Sequence, residues 1–443
     1  MNYNHISKPD YRSRFWRLAI VNIVSNLMVP LASLVDTAFL GHLTEISYLA
    51  GVAIATVLFN YIYWTFGFLR MGTTGLTAQA VGREESQDEV ILVLLRNSAI
   101  AMIVGLVILI FKQPLREIGF ALLQADPGVI EAGRAYYDAL IYGAPATLIN
   151  FVLLGWFLGR EEVGKVLLLS VVSKGANIIF DYLFIVRWGQ SSGGAGTATA
   201  ISQYATLALG LVLVMKIIPG NALLKCSRKI IDFIALKTIF SLNRDISIRT
   251  LILVSTFALF TNLSAALGTN ILAVNTLLLQ IVTLSAYFID GIAFATESMA
   301  GNFQGKGETN RLISLLRLAG SSSLVAGLSF ATIFWLFPQQ LFGLLTNHNS
   351  VIEGVVSYIW WLFPILGFGS IAYMLDGYFL GLTAGKVLRR STVIAVGLGF
   401  VPMAIAAWHW KANHLLWLAL TLFMAARSIT LGLKVKHSID KGL

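Results

Sequence analysis

The five residues Gly155–Gly159 read GWFLG, and the similar run GYFLG returns at Gly377–Gly381, about half a chain later. Each run is followed within a few residues by Gly-Lys-Val, at Gly164–Val166 and at Gly385–Val387. Two signatures in the same order and at nearly the same spacing indicate that the chain consists of two similar halves. Both halves must then share one arrangement of helices or strands.

The composition is that of a membrane protein. Of the 443 residues, 57% are apolar and only 12% are charged, whereas soluble proteins carry about 25% charged residues. Apolar runs long enough to span a bilayer recur along the chain and predict an all-α polytopic membrane protein. Residues 1–15 are polar and basic and precede a full-length apolar segment, so we expect no cleavable signal peptide.

Twelve transmembrane helices are predicted, six in each half. They cover roughly residues 16–40, 49–71, 91–112, 136–158, 165–187, 196–217, 248–268, 272–296, 314–337, 356–380, 389–408 and 415–434. Because six is even, the second half enters the membrane in the same orientation as the first. We therefore expect two six-helix bundles related by a pseudo-two-fold axis along the membrane normal. The predicted domains are an N-terminal bundle at 1–218, a cytoplasmic connector at 219–246 and a C-terminal bundle at 247–443.

The distribution of basic residues predicts the orientation. With the N-terminus in the cytoplasm, the outer loops hold only five of the 32 Lys and Arg residues: Lys112, Arg116, Arg134, Arg187 and Lys411. Basic residues are retained on the cytoplasmic side of membranes, so both termini are expected there. The basic stretch from Lys216 to Arg249 then lies against anionic headgroups. A regulatory or nucleic-acid role for this stretch is the alternative, but no nucleic-acid partner is predicted.

A second pair of segments supports the duplication. Gln79 and Gly82, after the second helix, match Gln304 and Gly307, after the eighth, and a Leu-Leu-Arg run follows each pair. Duplicated halves in a membrane protein are typical of secondary transporters, in which two bundles move around a central site. The six histidines show no metal-ligand spacing and no nucleophile triad is evident, so we expect neither a metal site nor an enzyme.

Ionisable residues inside predicted helices are candidate functional residues, because a charge in hydrocarbon is costly. Asp36 lies in helix one, and Asn177 and Asp181 share one face of helix five because they are four residues apart. Together they could hold a proton, or they could supply hard oxygen ligands to Na⁺. The alternative is a structural hydrogen-bond network that locks helices one and five.

Other intramembrane residues leave more than one interpretation open. Asp290 in helix eight and Asp376 in helix ten are candidates in the second half, with an undetermined role that includes substrate binding. Pro30 lies six residues before Asp36 and kinks the helix either as a hinge or as a static bend.

An aromatic stripe follows one face of helix two. Phe59, Tyr63 and Phe66 are spaced i, i+4 and i+7. Such a stripe is usually helix packing, and the alternative is a wall that stacks on a hydrophobic cation.

Several stretches of the sequence resemble the MATE family of multidrug and toxic compound extruders, and in particular its DinF-like branch. The resemblance covers about residues 10–435. The stretches that carry it are Leu34–Thr37 (LVDT), Gly41–Leu43 (GHL), Leu49–Ala53 (LAGVA), Phe68–Gln79 (FLRMGTTGLTAQ), Tyr287–Gly291 (YFIDG) and Leu375–Gly377 (LDG).

The resemblance implies alternating access and the efflux of amphipathic, often cationic, compounds in exchange for H⁺ or Na⁺, with no other cofactor. It implies Asp36 as the central protonation site. The other cavity residues that it implies are Asn177, Asp181, Thr199 and Asn150. Thr199 is the best match to a threonine of helix six, and Thr197 competes with it. The same side chains Asp36, Asn177, Asp181 and Thr199 would be the Na⁺ ligands.

One departure from the family pattern bears on the coupling site. Some branches carry a glutamate in helix seven, where this chain has Asn262 and no acid, so coupling is expected in the first half. The predicted function is a secondary antiporter of a bacterial inner membrane, or of an organelle membrane of bacterial descent. A flippase of lipid-linked precursors is the alternative. A monomer suffices, because both halves lie in one chain.

Overall fold

The computed structural model describes residues 11–41, 45–83, 87–123, 125–346 and 348–441. Over these residues the chain is helical and contains no β-strand, and twelve of its helices are long and apolar enough to cross a membrane. They are α1 (Tyr11–Gly41), α2 (Ser47–Gly82), α3 (Gln87–Ile110), α4 (Pro127–Gly159), α5 (Val163–Arg187), α6 (Ser192–Ile217), α7 (Phe233–Ala266), α8 (Thr269–Lys306), α9 (Thr309–Leu336), α10 (Ser350–Gly381), α11 (Gly385–Trp410) and α12 (Asn413–Ile439).

All twelve predicted helices are present, which confirms the all-α fold. Backbone groups inside hydrocarbon can satisfy their hydrogen bonds only within a helix, so long apolar runs leave the chain no alternative. Several helices extend beyond their predicted ends: α7 begins at Phe233 instead of 248, and α8 ends at Lys306 instead of 296. An apolar run marks only the part of a helix that lies in lipid, and the polar continuation remains helical.

The chain forms two compact units. The N-terminal unit is Ser25–Thr250, and the C-terminal unit combines Met1–Val24 with Leu251–Leu443. These limits fall inside α1 and α7, whereas the predicted limits fell between helices. A helix of more than 30 residues is longer than roughly 45 Å, so its two ends can pack in different units.

The predicted connector at 219–246 is also mostly helical. It contains the short helix Gly220–Ser227 and the first turns of α7. Buried Arg96 of α3 donates to the carbonyl oxygens of Lys229 (3.2 Å) and Ile230 (3.1 Å). Lys225 donates to Asp88 at 3.0 Å, which raises the pKa of the Lys225 ammonium group. Part of the basic stretch is thereby attached to α3.

The two units have the same internal packing. In the N-terminal unit α4 packs against α2, α3 and α6, and α5 packs against α6. In the C-terminal unit α10 packs against α8, α9 and α12, and α11 packs against α12. Each contact in one unit recurs six helices later in the other, as duplicated halves require.

The first signature is the place where α4 and α2 touch through their backbones. A Cβ atom on Gly155 would collide with the carbonyl oxygen of Arg70, and one on Gly159 would stand 2.6 Å from the carbonyl oxygen of Thr74. Glycines four residues apart lie on the same face of a helix, so both face α2. Only glycine allows this approach.

The second signature makes the same contact between α10 and α8. Added Cβ atoms on Gly377 and Gly381 would collide with the carbonyl oxygens of Ala293 and Glu297. The turn that follows is also repeated. Glu161 and Thr383 each lie two residues after the signature and have left-handed φ angles of 59° and 54°.

The packing corrects one of the matches between the halves. Because Gly155 meets Arg70 and Gly377 meets Ala293, Arg70 and Ala293 occupy equivalent positions. Counting along α2 and α8, Gln79 then corresponds to Asn302 and not to Gln304. The match of Gln79 with Gln304 is displaced by about half a helical turn.

We expect Gly155→Ala to destabilise the N-terminal unit by about 1–3 kcal/mol, because α4 must move away from the α2 backbone. Thermal unfolding can be followed with a fluorogenic maleimide, since the single cysteine, Cys226, is buried in the same unit. Burial raises the pKa of the Cys226 thiol, which keeps the reactive thiolate scarce until unfolding.

Gly164→Ala is the matched control, because its Cβ would meet nothing within 4 Å. It should leave the unfolding temperature within about a degree of wild type or raise it slightly, since alanine favours helix. Equal losses in the two variants would contradict the assigned role of the signature.

Candidate functional site

A cavity of about 540 Å³ lies inside the N-terminal unit, between α1, α2, α4, α5 and α6. Its volume is in the range of about 300–1,000 Å³ that is usual for small-molecule sites. Most of its lining is aromatic, aliphatic, hydroxyl or amide, and its charged lining residues are Asp36 and Lys174. The cavity therefore combines the apolar surface and the few polar groups that bind an amphipathic molecule.

Of the two acids predicted in helices one and five, Asp36 lines this cavity, and Asp181 is buried behind the lining residue Asn177. The carboxyl groups of Asp36 and Asp181 lie close enough to interact with each other. Two carboxyl groups have only acceptor oxygens when both are ionised, so a hydrogen bond between them requires a proton on one of them. A shared proton would join the two side chains.

Asn177 and Thr199 complete the polar network. The side-chain amide of Asn177 donates to Oδ2 of Asp181 at 2.8 Å and to Oγ1 of Thr199 at 3.3 Å. Thr199 in turn donates to the carbonyl oxygen of Ala195. The competing residue, Thr197, donates to the carbonyl oxygen of Gly193 and does not line the cavity. Of the two threonines, the structure thus places Thr199 beside the acids.

Lys174 was missed as a site residue by the sequence analysis, which treated basic residues only as topology markers. It lies in α5, one turn before Asn177, and its ammonium group interacts electrostatically with Asp36 and Asp181. It is eleven positions after Val163, about 16 Å along the helix. A lysine that interrupts an apolar run, at i−3 and i−7 from two polar residues, was the available signal.

Asn150 points away from the acids. Its side-chain amide donates to the backbone oxygen (2.9 Å) and the side-chain oxygen (3.0 Å) of Gln203. It lines a second, smaller cavity of about 200 Å³, whose wall also includes Lys174. Its contact therefore joins α4 to α6, and any role in the larger cavity would pass through Gln203, which lines both cavities.

The aromatic stripe of α2 contributes both to helix packing and to the wall of the cavity. Phe59 and Tyr63 line the larger cavity and stack on each other, with ring centroids 5.5 Å apart. Phe59 also stacks on Tyr137 at 5.2 Å. Phe66 does not line the cavity and pairs with Phe68 instead. Two of the three rings thus form a wall.

Pro30 lies within an uninterrupted helix, since α1 is helical from Tyr11 to Gly41. Asp36 follows on the same helix and faces the cavity. The clear breaks in helix geometry lie elsewhere: the 3₁₀ turns Ile141–Gly143 and Ile359–Trp361 precede Pro145 and Pro364 in α4 and α10. A π-helical turn, Tyr182–Arg187, begins immediately after Asp181.

The second-half acids lie in the C-terminal unit. Asp376 of α10 is ion-paired with Arg427 of α12, and both are buried. The guanidinium group of Arg427 lies over the rings of Tyr373 and Phe423, 5.7 and 5.6 Å from their centroids. Asp290 lies beside Tyr287 on α8. Arg427 was not predicted as a partner, because the sequence of one helix does not show which side chain of another helix an acid will contact.

In the part of the chain that the structure describes, no group of three or more His, Cys, Asp or Glu side chains could hold a metal ion. The polar centre of the N-terminal unit instead consists of two carboxyl groups, an amide, a hydroxyl and an amine.

Twelve membrane-spanning helices in two similarly packed units, with a polar-centred cavity inside one of them, define a membrane transporter. The sequence model of the MatE family matches residues 22–183 and 246–405, one segment in each half. The chain therefore belongs to the MATE family, whose members are transporters and not enzymes, as predicted.

Individual relatives agree with this assignment. The chain is 35% identical over 416 residues to DNA damage-inducible protein F of Escherichia coli (strain K12), covering 94% of this chain and 90% of that protein. It is 22% identical to a probable multidrug resistance protein NorM of Thermotoga maritima, covering 78% and 74%. A crystal structure of MATE in the straight conformation superposes with a TM-score of 0.87 at 22% identity, covering 98% and 97%.

The ion pair of Asp376 yields a stability test. Arg427→Met should cost about 3–5 kcal/mol, because it leaves the Asp376 carboxylate buried without its guanidinium group. The double variant Arg427→Met/Asp376→Asn should recover much of this loss, as measured by thermal unfolding. Additive effects of the two single substitutions would instead show that the two side chains act independently.

Proposed function

We propose that this protein is a secondary active antiporter that exports amphipathic, cationic organic compounds in exchange for protons by alternating access. The observation that carries the proposal is the interaction of Asp36, which lines a cavity of drug-sized volume, with the buried carboxyl group of Asp181. A titratable group inside a membrane protein marks a proton pathway by default. Here one such group, Asp36, lines the cavity, and a second, Asp181, interacts with it.

Proton binding changes the charge of the site and the geometry of α1 together. With one shared proton, Asp36 and Asp181 attract each other and join α1 to α5. When the proton leaves, two carboxylates repel each other in a medium of low dielectric constant. Asp36 and Pro30 lie on the same helix, so Pro30 is the proposed hinge for the resulting movement.

Exchange requires only that proton and cargo favour different states of the carrier. A cationic cargo gains attraction when the pair is deprotonated, and it loses that attraction when a proton arrives. Stacking of its aromatic part on Phe59 and Tyr63 would hold it in the cavity between these events.

Sodium is the rival coupling ion at the same residues. Its site would consist of Asp36, Asn177, Asp181 and Thr199. Three observations favour the proton. The two carboxyl groups lie close enough to interact, and Asn177 directs an N–H donor toward Asp181 and Thr199, where a cation would need an acceptor. Lys174 also supplies positive charge nearby without a bound metal ion.

We propose a bacterial inner membrane as the location, with both termini in the cytoplasm. The support is the excess of Lys and Arg in the loops assigned to the inside and the relative from Escherichia coli. A monomer suffices for this function. A flippase of lipid-linked precursors would be favoured by a strongly basic cavity, whereas Lys174 is the one base in the described lining of the larger cavity.

The test is ethidium transport by proteoliposomes under an imposed pH gradient and, separately, an imposed Na⁺ gradient. We expect the pH gradient alone to drive the wild-type protein. Asp36→Asn should reduce transport to the level of protein-free vesicles, because an amide cannot exchange a proton.

Asp126→Asn is the matched control. Asp126 is exposed and its side chain caps no helix, so this variant should transport at the wild-type rate. Transport driven only by Na⁺ would make the coupling ion sodium. No transport under either gradient would contradict the proposed drug antiport and would favour the flippase.

A further inference from the structure

We infer that Lys174 binds an anionic group of the cargo, so that the cavity takes amphipathic zwitterions carrying both a cationic centre and a carboxylate. This inference rests on the proposed transport function and makes its substrate class more specific. It identifies Lys174 as a residue that determines specificity.

The position of Lys174 is the first support. Its side chain lines both cavities of the N-terminal unit, the larger at about 540 Å³ and the smaller at about 200 Å³. Thr147, Phe151 and Gln203 are the other residues common to both walls. The two cavities are therefore neighbours, and the ammonium group stands at their junction.

The second support is that this ammonium group lacks a direct protein partner. Among the described residues, Lys174 makes no hydrogen bond and no ion pair within 4.0 Å, although Asp36 and Asp181 act on it electrostatically. A lysine carries three N–H donors, and no acceptor among the described residues uses those of Lys174. A carboxylate of the cargo would accept from them directly.

The smaller cavity suits such a carboxylate. Its polar lining consists of hydroxyl and amide groups with Lys174 as the charged residue, and the described lining includes no Asp or Glu. The hydroxyl group of Ser25 is buried there and has no hydrogen-bond partner among the described residues. It can donate to an anion beside Lys174. No acidic side chain in that wall opposes the anion.

Charge matching is the third support. In the described lining of the larger cavity, Asp36 is the one acid and Lys174 the one base. A cargo with only a positive charge meets a like charge at Lys174, which lowers its affinity. A zwitterion can place its cationic centre at the Asp36–Asp181 pair and its carboxylate at Lys174, so both charges are compensated.

The test compares two dyes that differ only at the carboxyl group: tetramethylrhodamine, which is a zwitterion, and its methyl ester, which is a cation. Dissociation constants are measured by fluorescence anisotropy on the purified full-length protein. We expect the wild type to bind the zwitterion at least about tenfold more tightly, the effect of a buried charge-assisted hydrogen bond. Lys174→Met should abolish this preference, and Lys174→Arg should retain most of it.

Lys216→Met is the matched control, because Lys216 is exposed at the end of α6. It should leave both dissociation constants unchanged. If Lys174→Met does not fold, the wild-type preference and the Lys174→Arg preference decide the question.

Equal affinity of the wild type for the two dyes would overturn the inference. So would a Lys174→Met variant that weakens both dyes to the same degree, because Lys174 would then act only as a counter-ion of the acids. Either result leaves ethidium transport intact. The proposed function fails separately, when no ion gradient drives ethidium through the wild-type protein.

Discussion

The structure depends on direct backbone contact between paired helices, α4 on α2 and α10 on α8. Lipid is as apolar as leucine, so transmembrane helices gain little from burying apolar side chains and associate through close packing instead. Gly155 and Gly159 permit the first contact, and Gly377 and Gly381 permit the second. Because α4 also packs on α6, and α6 on α5, this contact determines where the polar residues of α5 and α6 stand.

A few charged side chains determine the electrostatics of the cavity in the N-terminal unit, where a low dielectric constant strengthens their interactions. Asp36, Asp181 and Lys174 interact at short range, and each added or removed proton changes the balance among them. The hydrogen bonds of Asn177 hold Asp181 in position relative to Thr199. In the proposed mechanism, the protonation of the carboxyl pair is then the property that changes. In the proposed mechanism a proton and a charged cargo influence each other there, because both act on the same charges.

The buried acid of the C-terminal unit differs from those of the N-terminal unit in its electrostatic surroundings. Asp376 lies in a helix equivalent to α4, yet its carboxylate forms a buried ion pair with the guanidinium group of Arg427. The aromatic rings of Tyr373 and Phe423 cover the guanidinium group. An ion pair of this kind joins the helices that carry it, whereas the Asp36–Asp181 pair is the proposed site of proton exchange. The two units share a framework and differ in electrostatics.

The sequence by itself determined the twelve helices, the duplication and the presence of acids in α1, α5, α8 and α10. Each of these follows from a local property, either the length of an apolar run, a repeated motif or a charge within it. Only the tertiary structure decided that Asp36 meets Asp181, that Asp376 meets Arg427, that Asn150 turns to Gln203 and that Lys174 stands between two cavities. It also decided that Gln79 corresponds to Asn302, since a match of letters ignores helical register. The physical reason is that partners from different helices are chosen by packing, and packing depends on glycine contacts and helix rotation that no single segment contains.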